Sequence, residues 1–327
     1  MIGTALGSLF DLCIFRRVQP RLLDRRTPPE ELAALRRRDV AAELRSAAAA
    51  PAPDSVTLGE ELADSRVGLT YRPAILAPSG ATGRLYGNIE RGRPGVLLLH
   101  GWLQPSYLTL SETAALLSRR GLLVLVLELP HHLSRRPPGE AHGARFVSGD
   151  LGLTLAAFLQ ALGEAAAAAA WLRDNTSGVC TAGFSLGGLL AGLHACLAQE
   201  PPERVLLVAP AARPAETLLR SSLAARISRS LSAQGVAPGE IRHFLAPFDL
   251  TRLRPRVPPP DILLIAPRGD RAVPLSVMRG LRDGWGCRWR EVSAGHLSLW
   301  LPLLAGERLG IGRGLSWCRK AADFLAG

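Results

Sequence analysis

The sequence predicts an α/β fold, in which a mostly parallel sheet carries helices on both faces and a helical cap insertion over one edge. Three observations predict it. From about residue 65, short and continuously apolar runs alternate with longer helical patterns, as buried parallel strands and their crossover helices do. A serine flanked by glycines joins one such run to a helix. Further on, about fifty helix-prone and proline-rich residues separate two runs, and a plain crossover needs far fewer.

The start of the chain is expected to be a helical N-terminal extension and linker over residues 1–60, ahead of an α/β domain over residues 61–327. Its first residues are apolar, but Asp11 interrupts them and Arg16 and Arg17 follow them, which is opposite to the charge order of a signal peptide. The apolar run is too short to cross a bilayer. A helix packed on the domain and a helix lying on a membrane surface both remain open.

Eight apolar runs are predicted strands, and helical patterns separate most of them. The predicted strands cover residues 67–71, 84–89, 95–100, 122–128, 179–184, 204–209, 262–266 and 287–292. The predicted helices of the domain cover residues 109–120, 151–173, 186–199, 274–285 and 315–325. The second of these helices is long and apolar, but Gln160 and Glu164 within it favour a buried core helix over a membrane span.

An insertion over about residues 211–258 separates two of the predicted central strands. Because the carboxyl ends of parallel strands share one edge of the sheet, this insertion is expected to lie over the glycine-flanked serine as a lid. The composition of the insertion is compatible with two interpretations. One is a basic lid that steers anionic substrates or contacts anionic lipid, and the other is a solvated helix face. The insertion contains Arg213, Arg220, Arg226, Arg229, Arg242, Arg252, Arg254 and Arg256.

The overall composition argues against several classes of partner. The formal net charge of +11 comes almost wholly from arginine, because Lys320 is the only lysine, and aromatic residues do not interleave with the basic ones. We therefore expect a solvated basic surface and no nucleic-acid partner. The cysteines form no CxxC pair and no cluster of zinc spacing, which predicts a reduced, cytoplasmic protein without metal or cofactor. They are Cys13, Cys180, Cys196, Cys287 and Cys318.

The most informative motif is the predicted strand-to-helix turn at Ser185, which has the layout of a nucleophile elbow. The serine backbone in such a turn is strained, so the residues two before and two after it must be small. Gly183 and Gly187 meet that demand. The start of the next helix places backbone N–H groups and a positive dipole end beside the hydroxyl. Ser185 is therefore the expected nucleophile.

A serine hydroxyl needs a base to take its proton and an acid to orient that base. His296 is the best candidate base, because it follows Gly295 on a loop after the last predicted strand. Asp270 is the expected orienting acid, since it follows an apolar strand by a tight turn. Asp249 remains an alternative acid, and a role for Asp270 as a turn or helix-cap residue also remains open.

An oxyanion hole needs two N–H donors near the serine. Leu186 supplies one as the residue after the nucleophile, and the loop after the predicted strand 95–100 is expected to supply the other from Trp102. In that loop Gly101 lets the backbone turn tightly, and His100 is expected to hold the loop by hydrogen bonds without acting as a base. Trp102 is also expected to line the acyl pocket.

Taken together, these motifs resemble those of the α/β-hydrolase superfamily, serine-hydrolase type. The resemblance covers roughly residues 65 to 327 and implies the α/β-hydrolase fold with the triad Ser185, Asp270 and His296. Residues 127–139 are similar to poorly characterised bacterial abhydrolase-domain proteins. Their basic residues replace the glycine-rich turn of many members, and they either bind a polar substrate head or cap a loop. These residues are His131, His132, Arg135 and Arg136.

The resemblance implies acylation of Ser185, departure of an alcohol, thiol or amine, and deacylation by water activated at His296. A carboxylic ester is the expected substrate. An acyl lipid is one candidate ester, because a basic lid and an apolar N-terminal segment occur in one chain. A thioesterase or a peptidase would use the same triad. The alternative from another class is a catalytically silent binding protein of this fold, and such proteins usually lose the serine, the base or the glycines.

Overall fold

A ten-stranded mixed sheet forms the centre of the computed structural model, which describes residues 2–18, 25–305 and 316–327. The strands are β1 (Ser55–Leu58), β2 (Leu62–Asp64), β3 (Leu69–Ala77), β4 (Ala81–Tyr86), β5 (Gly95–Leu99), β6 (Leu123–Leu127), β7 (Val179–Phe184), β8 (Arg204–Val208), β9 (Ile262–Pro267) and β10 (Arg288–Val292). Their order is β1-β3-β4-β6-β5-β7-β8-β9-β10, and β2 pairs with β3. Strands β5 to β10 run parallel, while β1 to β4 extend one side of the sheet with antiparallel pairing.

Helices cover both faces of this sheet. They are α1 (Ile2–Val18), α2 (Pro29–Leu35), α3 (Val40–Ala48), α4 (Leu108–Ser118), α5 (Leu151–Asn175), α6 (Leu186–Leu197), α7 (Pro214–Arg220), α8 (Ala225–Ala233), α9 (Pro238–Leu245), α10 (Leu275–Trp285), α11 (Leu301–Ala305) and α12 (Ser316–Ala326). Buried side chains of α2, α3, α5, α6 and α10 form one apolar cluster with the sheet, and those of α4, α11 and α12 form another. The predicted fold class, with helices on both faces, is confirmed.

Alternate residues of each central strand belong to different clusters, and this explains the apolar runs in the sequence. In β5, Leu97 and Leu99 pack into the first cluster, whereas Val96 and Leu98 pack into the second. A strand that is buried on both faces has no polar side, so it reads as a continuous apolar segment. The five central strands were predictable within one or two residues for this reason.

The antiparallel side of the sheet was predicted less well. Strand β3 runs over Leu69–Ala77, later in the chain than the predicted 67–71, and β4 runs over Ala81–Tyr86, earlier than the predicted 84–89. Strands β1 and β2 match no predicted strand. Along β3, exposed or half-buried positions alternate with more buried ones, so these strands carry polar residues and lack the continuous apolar signal. The predicted boundary near residue 60 falls between β1 and β2.

The cap helices α7, α8 and α9 lie between β8 and β9, within the insertion predicted over residues 211–258. The long helix α5 is the one helix in the described part of the chain that is long and apolar enough to span a bilayer. In the fold, 61% of its most apolar window is buried. It packs against β5, α3 and α6, which agrees with the predicted core helix.

Candidate active site

Ser185 lies at the sharp turn from β7 into α6, at the carboxyl edge of the parallel strands. Its φ of 54° falls in the left-handed region that residues other than glycine rarely adopt. The Ser185 N–H donates to the Val208 carbonyl at 2.9 Å, which ties the turn to the neighbouring strand. A Cβ at Gly183 would collide with the Gly187 carbonyl, and a Cβ at Gly187 would collide with the Leu99 carbonyl. Close backbone approach therefore requires both glycines of the elbow.

A hydrogen-bonded chain of three side chains crosses this edge of the sheet. Nε2 of His296 lies 2.9 Å from Oγ of Ser185, and Nδ1 of His296 lies 2.7 Å from Oδ2 of Asp270. The His296 and Asp270 side chains are both buried. When Nδ1–H donates to the carboxylate, Nε2 is left as the acceptor for the serine proton. The structure thus brings together the residues predicted as nucleophile, base and acid.

The loop between β9 and α10 fixes the orientation of Asp270. Oδ1 accepts hydrogen bonds from the backbone N–H groups of Ala272 at 2.8 Å and Val273 at 2.7 Å, which leaves Oδ2 directed at His296. Asp270 is therefore a turn residue and a histidine partner at once. Asp249, the alternative acid, lies in the cap, where it accepts a hydrogen bond from Thr251 and pairs with an arginine.

Opposing effects set the pKa of the His296 imidazole. Burial is the largest effect and lowers the pKa, while the charge and hydrogen bond of Asp270 and the charge of Asp11 raise it. The net result is a pKa above the ordinary value of 6.5. The neutral ring needed to accept a proton is thus present above this raised pKa and is lost as the pH falls through it.

Two buried histidines hold the loop that follows β5. Nε2 of His100 accepts the Leu129 N–H at 3.0 Å, and Nδ1 of His100 lies 2.8 Å from the Gly101 carbonyl. Nε2 of His132 accepts the Leu103 N–H at 3.2 Å. Burial lowers the pKa of His100 to about 4 and that of His132 well below its ordinary value, so both rings are neutral acceptors. His100 makes the loop-holding bonds expected of it.

The two predicted oxyanion donors flank the pocket at the serine. Trp102 and Leu186 both line the cavity into which Ser185 opens. The Trp102 indole N–H donates to the Gly143 carbonyl at 2.8 Å, which fixes its ring against the neighbouring loop. Leu186 is the first residue of α6, and its N–H is one of the four that have no acceptor within a helix. An oxyanion role for both backbone N–H groups stays a prediction.

The other predicted binding residues make contacts that fasten loops. Arg135 forms a two-pronged ion pair with the buried Glu164 at 2.6 and 2.7 Å and also donates to the Glu128 carbonyl at 2.7 Å. The His131 carbonyl accepts a backbone hydrogen bond in the same loop. His131, His132 and Arg135 are not among the described residues that line the cavity at Ser185. Buried Glu164 needs a compensating charge, and Arg135 supplies it.

An apolar cavity of about 80 Å³ lies beside Ser185, between α5, α6 and the cap. Residues of the cap form one wall of the cavity that Ser185 also lines. Hydrophobic side chains dominate the lining. Those that reach it from the sheet loops and α5 are Trp102, Val147, Leu151 and Phe158, and those from the cap are Leu218, Leu223 and Leu245.

Asp11 is the residue near the site that the sequence did not place there. In the sequence it only interrupts an apolar run, yet its carboxylate is buried against the His296 loop. The signal that could have found it is the acidic residue itself, because an unpaired carboxylate is costly on the buried side of an apolar helix.

Comparisons with known proteins identify the fold. No family model matches the chain, and no curated protein matches it in sequence. Among solved structures, an esterase of Pyrococcus furiosus has a TM-score of 0.53 at 16% identity, over 85% of this chain and 100% of that one. An acetyl xylan esterase from a Paenibacillus species has a TM-score of 0.56 at 14% identity, over 93% and 98%.

A third similar structure belongs to a peptidase. The acylaminoacyl peptidase of Pyrococcus horikoshii has a TM-score of 0.51 at 13% identity, over 81% of this chain and 40% of that one. All three similar proteins are α/β-hydrolases, and at these identities the likeness concerns the fold. The chain has the α/β-hydrolase fold, as its motifs implied.

Proposed function

We propose that the protein is a serine hydrolase that cleaves a carboxylic ester through an acyl-enzyme on Ser185. The observation that carries the proposal is the hydrogen-bonded chain from Asp270 through His296 to Ser185, at 2.7 and 2.9 Å, on a strained elbow. That arrangement activates a hydroxyl, and a binding protein has no need of it. The esterases among the similar folds support hydrolysis, as does the peptidase.

In the proposed reaction, Nε2 of His296 takes the proton from Ser185 as Oγ bonds to the carbonyl carbon of the ester. The carbonyl oxygen gains negative charge, which the N–H groups of Leu186 and Trp102 would stabilise. Cleavage of the C–O bond then releases the alcohol, which takes the proton from Nε2. Water attacks the acyl-enzyme by the same sequence and releases the carboxylic acid.

The cavity favours an ester of an acyl chain over a polar substrate. Its walls are hydrophobic, so the acyl methylenes would leave water on binding. An esterase, a peptidase and a thioesterase would share the triad and differ in the leaving group. The lining of the cavity bears on which acyl group can bind and not on the leaving group, so acyl length is the property to measure.

A series of p-nitrophenyl esters from acetate to dodecanoate tests this proposal. Each methylene that enters the cavity contributes about 0.8 kcal/mol, so we expect kcat/KM to rise roughly fourfold per methylene and then to level off when the cavity is filled. Thioester and amide analogues of the best chain serve as controls for the leaving group. Fastest hydrolysis of the acetate would contradict an acyl-chain pocket, and faster hydrolysis of the thioester would favour the thioesterase alternative.

We also propose that α1 contacts a membrane surface peripherally. The side chains of Leu6 and Leu9 are 62% and 58% exposed, and those of Phe10 and Cys13 are exposed too. Their spacing puts these four residues on one side of the helix, which we call the outer stripe. Exposed Arg16 follows it, and a cationic flank beside an apolar stripe suits an anionic phospholipid surface.

The arginines of the cap contribute less to the proposed membrane contact than the sequence suggested. Glu216 pairs with Arg220 at 2.9 Å and with Arg242 at 3.0 Å, and Asp249 pairs with Arg213 at 3.3 Å. Part of the basic charge of the cap is thus balanced within the cap. The outer stripe is the better candidate for the lipid contact.

Vesicle co-sedimentation tests the membrane proposal. We expect the protein to pellet with phosphatidylglycerol-containing vesicles more than with phosphatidylcholine alone, because both the apolar stripe and the cationic flank contribute. Leu9→Ser should weaken binding about tenfold by removing an inserted side chain. The matched control is Leu62→Ser, which removes an exposed leucine from β2. Equal binding to both vesicle types, or no binding, would contradict the proposal.

A further inference from the structure

The inner side of α1 packs against the two loops that carry the proposed base and acid. Oγ of Ser8 donates to the Gly269 carbonyl at 2.6 Å, next to Asp270 in the sequence. The Phe15 ring lies edge-on to the His296 imidazole, with 6.5 Å between ring centroids. Among the described residues, a helix from the start of the chain thus contacts both loops of the triad.

Two glycines allow this contact to be close. A Cβ at Gly7 would lie 2.5 Å from the Gly295 N and 2.6 Å from Oγ of Ser298. A Cβ at Gly295 would collide with the Asp11 carboxylate. The helix backbone and the His296 loop therefore meet at van der Waals distance, with no room for a side chain between them.

The Asp11 carboxylate is the polar centre of this contact. Its Oδ2 accepts the backbone N–H of His296, and its Oδ1 accepts those of Leu297 at 3.0 Å and Ser298 at 3.3 Å. The side chain is fully buried. His296 and Leu297 directly precede the short 3-10 turn Ser298–Trp300, and Ser298 begins it, so Asp11 binds the N-terminal N–H groups of that turn and lies 285 positions before His296 in the chain.

The ionised form fits this environment. Three N–H donors converge on the two oxygens, and charge-assisted hydrogen bonds of this kind are among the strong ones. Burial nevertheless raises the pKa of Asp11, so the carboxylate is held at a cost that a purely packing residue would avoid. A leucine or an alanine would seat the helix without that cost but would leave the three donors unpaired.

We propose that Asp11 is a positioning residue that fixes the backbone of His296 where the ring bridges Ser185 and Asp270. The inference rests on the proposed serine hydrolase function. Asp11 does not touch the reacting atoms. It acts through the loop, by binding the N–H of the very residue whose side chain must reach Oγ within hydrogen-bond distance.

Asp11 also affects the pKa of His296, and this effect can be measured. The charged groups that act on His296 from the elements around it are Asp270 from the β9 loop and Asp11 from α1, and the neutral Ser185 hydroxyl faces it from the elbow. The Asp11 charge contributes to the raised pKa of His296. Because the base works as the neutral ring, removing that charge should move the acid limb of the reaction to lower pH.

The test uses Asp11→Asn in the full chain and measures the rate of labelling by a fluorophosphonate probe across pH. We expect the rate at the plateau to fall about 10- to 100-fold, the order of loss that misplacement of a catalytic group causes. We also expect the acid limb to shift to lower pH. The matched control, Asp39→Asn, removes a carboxylate that caps the exposed N-terminus of α3, and it should label at the wild-type rate.

A second variant guards against a loss caused by unfolding. Gly7→Ala keeps the carboxylate but displaces α1 from Gly295, and it should lower the labelling rate in protein with an unchanged circular dichroism spectrum. Labelling of folded Asp11→Asn or Gly7→Ala at the wild-type rate, or an acid limb that does not move in Asp11→Asn, would overturn the positioning role. Failure of the wild type to label would instead refute the serine hydrolase proposal.

Discussion

Replacing Ser185 with alanine should lower ester hydrolysis by about 10⁴- to 10⁶-fold, which is the loss expected when a nucleophile is removed from a triad. The variant keeps the elbow backbone, because the Ser185 N–H bond to Val208 and the glycine contacts do not involve the hydroxyl. We therefore expect an unchanged thermal midpoint. The measurement is kcat/KM for the best p-nitrophenyl ester, with rates corrected for spontaneous hydrolysis.

The control for this prediction removes a serine that lies in the same cavity but outside the hydrogen-bonded chain. Ser221 lines the cavity from the cap, and its hydroxyl accepts the Leu223 N–H at 3.1 Å. Ser221→Ala should change kcat/KM by less than about tenfold, since it removes one local hydrogen bond. Activity within tenfold of the wild type in Ser185→Ala would mean that another group is the nucleophile.

Asp270→Asn should lower kcat by about 10⁴-fold, because an amide cannot hold the imidazole in the tautomer that accepts the serine proton. The geometry of the loop should persist, since the side-chain oxygen of asparagine can still accept the Ala272 and Val273 N–H groups. The comparison is Asp249→Asn, which alters a cap residue that pairs with Arg213. We expect this second variant to stay within about tenfold of the wild type.

The outcome decides between the two acids that the sequence left open. A 10⁴-fold loss in Asp249→Asn together with a mild loss in Asp270→Asn would assign the acid to the cap and contradict the hydrogen-bonded chain as the working arrangement. A large loss of activity in both variants would mean that the cap residue Asp249 also influences the arrangement of the triad. The two substitutions are isosteric, so differences in packing do not confuse the comparison.

The part of the fold that the sequence predicted is the part whose signal is local. Strand β7 and the glycines at 183 and 187 are neighbours in the chain, so a short segment contains all the residues that define the elbow. Asp270 and His296 were placed by a similar local signal, as polar residues that follow apolar strands. Continuous burial on both faces made the central strands readable in the same way.

What the sequence did not predict depends on partners far away in the chain. Arg135 was a candidate for substrate binding because its partner, Glu164 on α5, lies 29 positions on and is invisible to local reasoning. His132 holds Leu103 across a similar separation. Asp11 meets His296 from 285 positions away. A basic or acidic residue in an apolar setting signals that a partner exists, but only the tertiary fold says which one.

The histidines illustrate how environment divides one residue type between roles. Burial lowers the pKa of His100 and His132, and it outweighs the groups that favour the charged form of each ring, such as Glu128 beside His100. His296 is equally buried, yet Asp270 and Asp11 raise its pKa despite that burial. The direct hydrogen bond to the Asp270 carboxylate therefore distinguishes the candidate base from the loop-holding histidines.

The central claim is that Ser185 is a nucleophile activated by His296, and one measurement tests it most directly. The protein is treated with a fluorophosphonate and digested, and the modified residue is located by peptide mass spectrometry, with His296→Ala treated in parallel. We expect one adduct, on the peptide that contains Ser185, and a labelling rate at least about 10³-fold lower in His296→Ala. No adduct, an adduct on another serine, or equal labelling in His296→Ala would contradict the account.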